Sequence, residues 1–107
     1  MGAFEEREEG FERRFAVDEA LNFKARARRN KLLGLWAAEL IGKTGAEAEE
    51  YAKALVAAQV EKGDDQSLFQ RVRSDLQAAG AAISDHRISR KMEETLARAK
   101  LDVAEGR

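Results

Sequence analysis

KARARRNKLLGLWAAEL, residues 24–40, decides the fold. Five cations and no acid fall between Lys24 and Lys31, after which Leu32 to Ile41 is almost wholly apolar and carries the only tryptophan, Trp36. A run that changes character within one helix length reads as a basic collar on a buried helix. Leu32, Leu33, Leu35, Trp36, Leu40 and Ile41 leave little polar surface, so other helices are expected to cover this half on several sides. Gly34 and Ala37 let one of them approach closely. Asp18 and Glu19 suit the positive N-terminal end of this helix and Gly42 its stop, which gives a helix from about Asp18 to Ile41.

Three more helices follow from the same kind of punctuation. Thr44-Gly-Ala-Glu47 matches a capping box and Gly63 closes the second helix near Lys62, with Ala48, Tyr51, Ala52, Leu55 and Val56 as its inner stripe. The third starts after Asp64 or Asp65, runs to about Ala79 with Leu68, Phe69, Val72 and Leu76 at helical spacing, and stops at Gly80. Ser84 or Asp85 caps the fourth, which aligns Ile88, Met92, Leu96, Ala99 and Val103 and frays from Glu105. Short loops make antiparallel neighbours, so the expectation is an all-α four-helix bundle with a long first helix and a mobile N-terminal segment.

Composition agrees. The 107 residues suit one domain, proline and cysteine are absent, and a charged fraction of 36% stands beside an apolar fraction of 44%. Without cysteine the fold holds by packing alone and nothing points to an oxidising compartment. No apolar signal core and no stretch near the roughly 20 residues of a membrane span is present, so a cytoplasmic protein without membrane insertion is expected. A net charge of -1 argues against partners bound by bulk attraction to a positive field, nucleic acid among them.

The first 18 residues differ from the rest. Met1 to Ala20 holds seven acids against three arginines, and Phe4, Phe11 and Phe15 would fall within an arc of about 40° on a helix, with charges around most of the remainder. This ridge is narrower than a bundle-core stripe and ends at Asp18 and Asn22. Continued back to Phe4, the first helix would reach 38 residues, about 57 Å, far longer than its partners. Residues 1–18 are therefore expected to be a separate arm and residues 19–107 the bundle.

Catalytic signatures are missing. The single histidine, His86, has no cysteine or second histidine with which to hold a transition metal, and Glu49/Glu50 and Glu93/Glu94 point about 100° apart on a helix. Gly42-Lys43-Thr44 resembles the tail of a phosphate loop but lacks its upstream glycine and strand. No enzyme activity, metal or cofactor is expected.

The run from Ala25 to Gly45, with ARRNKLLGLWAA at Ala27–Ala38 as its heart, resembles the alphaproteobacterial zeta subunit, an inhibitor of the F-type ATP synthase. The likeness extends upstream through Phe4, Arg7, Glu8, Phe11, Glu12, Phe15 and Asp18-Glu19, and downstream through Ala48-Glu49 and Tyr51-Ala52-Lys53. It implies a four-helix bundle whose N-terminal segment inserts between alpha and beta subunits of the catalytic head, near the gamma subunit. Insertion would block hydrolysis and permit synthesis, as a one-way pawl does, and would place the protein at the inner membrane only through the synthase. Partner-contacting residues implied are Phe4, Glu5, Arg7, Glu8, Phe11, Glu12, Arg13, Arg14 and Phe15 on the arm. Lys24, Arg26, Arg28 and Arg29 are expected to dock the collar on an acidic rim. The residues also fit a four-helix adaptor with another partner, or a sensor that binds nucleotide at the collar.

Overall fold

A computed structural model describes Phe15 and residues 18–106, apart from the side chains of residues 59–62. Four helices make up the fold among these residues: α1 (Glu19–Ile41), α2 (Gly45–Lys62), α3 (Asp65–Ala78) and α4 (Asp85–Ala104). At 23 residues α1 is the longest.

The ends form where local chemistry dictates. Asp18 accepts a hydrogen bond from the Leu21 amide at 3.1 Å, Asp64 from Ser67 at 2.6 Å and Ser84 from Arg87 at 3.1 Å, so three of the four N-termini gain a side-chain acceptor for an orphan amide. Thr44 breaks the pattern: the expected capping box with Glu47 does not form through its side chain, and the Glu47 amide donates to the Thr44 carbonyl at 3.2 Å. Thr44 itself is extended, as an N-cap is, but the next residue, Gly45, has φ +54°, so the first helical position is taken in the left-handed region. At the other end of α1, Gly42 takes φ +95° and the Lys43 amide reaches back to the Ala38 carbonyl at 2.9 Å, a Schellman stop.

Helix α1 is the spine, with α2 and α4 along its flanks and α3 completing the bundle. Arg28 meets Asp102 and Trp36 meets Lys91, so α1 and α4 run antiparallel. Gly34 lies against Ala52, where a Cβ on the glycine would come within 2.7 Å of the Ala52 Cα. That absent methyl is what lets α1 and α2 close on one another.

The core joins Leu33 and Ala37 of α1 to Leu55 of α2, Leu68, Val72 and Leu76 of α3, and Ile88 and Met92 of α4. Coverage of α1 is narrower than its sequence suggests. Leu33, Gly34, Ala37 and Ala38 are buried, whereas Leu32, Leu35, Trp36, Leu40 and Ile41 are half-buried because two flanking helices cannot enclose a full circumference. Trp36 carries Lys91 above its ring, with the ammonium 5.9 Å from the centroid.

Candidate functional site

The N-terminal half of α1 is where the expected collar, the end of the arm and α4 come together. Steps of four along this helix place Ala25, Arg29, Leu33 and Ala37 on one buried line, so an arginine occupies a position otherwise given to core residues. Arg29 is only 1% exposed. Its Nε donates to Asn30 Oδ1 at 2.7 Å and its Nη2 to Asp65 Oδ1 at 2.8 Å, which ties α1 to the first residue of α3. Asn30, also fully buried, donates to the Leu55 carbonyl of α2 at 3.5 Å. Expected as a docking cation, Arg29 is instead an internal strut: its charge is matched by Asp65 and its fork is spent on protein acceptors.

Arg28 points to the other flank. Its Nε donates to Asp102 Oδ2 at 3.0 Å, while Arg98 Nε lies 3.2 Å from Oδ1 of the same carboxylate. Asp102 is buried and the two arginines are partly exposed, at 34% and 61% of their side chains, so a carboxylate inside the α1/α4 seam is held by two cations that still reach water. Arg28 thus keeps a free side but not a free charge. Lys24 is exposed and Arg26 half-buried, and these two expected collar residues remain open to a partner. Phe23, on the same turn, is 55% exposed.

The arm residues Phe4, Glu5, Arg7, Glu8, Phe11, Glu12, Arg13 and Arg14 lie outside the described residues. Phe15 does not, and it is buried. The Asn22 side-chain amide donates to its carbonyl and to that of Asp18, and Lys100 of α4 stands with its ammonium 5.7 Å from the ring centroid. An outward-facing ridge position is therefore folded onto the body in this chain, because the α1/α4 seam offers the ring a place out of water.

Two buried polar residues of α4 escape the hydrophobic pattern altogether. The inner line runs Ile88, Met92, Thr95, Ala99, Asp102, with Leu96 and Val103 half-buried beside it. Thr95 satisfies its hydroxyl within the helix by donating to the Lys91 carbonyl at 2.7 Å. The alternation of four- and three-residue steps from Ile88 to Asp102 was the available signal. His86 is exposed at the start of α4.

A family model described as ATPase inhibitor subunit zeta matches residues 1–102. The chain belongs to that family. The match takes in the residues expected to form the arm and the collar together with nearly all of the bundle. No curated protein sequence matches the chain. No helix among the described residues is long and apolar enough to cross a membrane.

Proposed function

We propose that the protein inhibits ATP hydrolysis by the F-type ATP synthase by inserting residues 1–18 at an alpha/beta catalytic interface near the gamma subunit. Phe4, Phe11 and Phe15 enter an apolar cleft, and Glu5, Arg7, Glu8, Glu12, Arg13 and Arg14 choose its register by charge. The bundle stays outside as the stop of a one-way pawl, with Lys24, Arg26 and the free side of Arg28 against an acidic rim. The family match over residues 1–102 carries this reading, since it takes in the arm and the body together. Commitment of Arg28 and Arg29 to carboxylates leaves the collar less cationic than a nucleotide sensor needs, and so favours a protein partner.

Deleting residues 1–14 tests it. The circular dichroism and melting temperature of the bundle should be nearly unchanged while inhibition of purified synthase is lost. Full inhibition by the shortened chain would overturn the role of the arm, and co-purification of the intact chain with the synthase head without any effect on hydrolysis would assign it to an adaptor.

A further inference from the structure

Phe15 is claimed twice. The proposed function, on which this inference rests, needs its ring in a partner's cleft, yet in the free chain the residue is 1% exposed. It is also absent from the main cluster that joins Leu33 to Leu55 and Ile88. Its seat is therefore peripheral: a buried aromatic whose removal leaves the central core intact.

Side chains from both walls of the seam reach Phe15, one at its backbone and one at its ring. From α1, the Asn22 amide bridges the Phe15 carbonyl and, at 3.1 Å, the Asp18 carbonyl, tying Phe15 to the start of the helix. From α4, the Lys100 ammonium lies 5.7 Å from the ring centroid, within the range at which a cation is drawn to an aromatic face. Neither Asn22 nor Lys100 belongs to the arm or to the expected docking collar.

We propose that Phe15 is a latch, seated in the α1/α4 seam in the free protein and released from it when the arm engages its partner. One ring cannot fill both sites, so the fraction of molecules with the seat empty sets the fraction ready to inhibit. Apparent affinity is lowered by that fraction, and anything that loosens the seat raises it. Because the ring lies apart from the main core, the latch opens as a local event, without unfolding the bundle. Asn22 and Lys100 are positioning residues for the closed state.

The experiment uses the full chain with 4-fluorophenylalanine in place of Phe15, alone and with Asn22→Ala or Lys100→Ala. In the free protein the fluorine resonance should stand apart from its position in urea, and either substitution should move it toward that position with the circular dichroism unchanged. Both variants, with natural Phe15, should inhibit ATP hydrolysis with an onset roughly 3- to 10-fold faster than the parent chain. A resonance in the free parent chain already at the urea position overturns the latch, and so does an onset unchanged in variants whose ring has been released. Failure of the parent chain itself to inhibit refutes the functional reading and the latch with it, whereas inhibition indifferent to the seat refutes the latch alone.

Discussion

The two halves of α1 are held in opposite ways. From Leu33 onward the helix is gripped by apolar contact, with Gly34 against Ala52 and Leu33 and Ala37 in the common core. Before it, Arg29 reaches Asp65 and Arg28 reaches Asp102, and the polar side chains of Arg29, Asn30 and Asp102 are buried. Apolar packing gives the C-terminal half a salt-insensitive grip. Ion pairs with partly exposed partners fix geometry more than they add stability. The half gripped by the core and the half beside Phe15 are thus separated along one helix, and loosening the second need not weaken the first.

The largest expected effect tests the apolar half. Leu33→Ala should destabilise the bundle by about 3 to 4 kcal/mol in urea unfolding, since the residue is fully buried in a core cluster drawn from all four helices. The loss should be nearly the same at low and high salt. A loss that shrinks in 1 M salt, where the screening length is about 3 Å, would break the contrast.

Asp102→Ala probes the charged half and should cost less, about 1 to 2 kcal/mol, because Arg28 and Arg98 can turn back into water once the carboxylate is gone. This cost should diminish as salt is added. If it equals that of Leu33→Ala and ignores salt, the seam behaves as core and the distinction fails.

The smallest effect sharpens the comparison at a third contact, between α2 and α3. Tyr51 donates its hydroxyl to Asp75 Oδ2 at 2.7 Å, and Arg71 Nε donates to the same oxygen at 2.9 Å. Burial above all, then the hydrogen bond and the charge of Asp75, push the Tyr51 phenol up, while Arg71 pulls the other way. The folded state therefore holds this proton more tightly than the unfolded chain. Its contribution is complete below about pH 10, the ordinary tyrosine value, and declines as the pH rises above it. Tyr51→Phe should cost about 1 kcal/mol at neutral pH and remove that share of the alkaline loss, read by melting at pH 7 and above pH 10. An alkaline profile identical in both proteins would dissociate the tyrosine from it.

Helix limits were legible in the sequence because their causes are local. Asp18, Asp64 and Ser84 cap the helices they precede, and Gly42 and Gly63 stop the ones they follow, whatever the rest of the chain does. The seam was less legible. Arg29 and Asp102 read as surface when polarity is taken to mean exposure, and only the pairing of α1 with α3 and α4 supplies the opposite charges that let them go inside. Ala25, Arg29 and Leu33 do stand at steps of four, so periodicity marked the position even though residue type argued against it. Phe15 had no such mark. An aromatic on a charged stretch fits a partner's cleft and a neighbouring seam equally well, and its seat depends on Lys100, 85 positions along the chain.

The placement of α1 between α2 and α4 has a mechanical consequence. A pull applied along the α1 axis would run parallel to both flanking seams. Such a load shears the Arg28–Asp102 and Gly34–Ala52 contacts together, instead of peeling them open one turn at a time. A body built this way meets an axial load along the whole length of α1 at once.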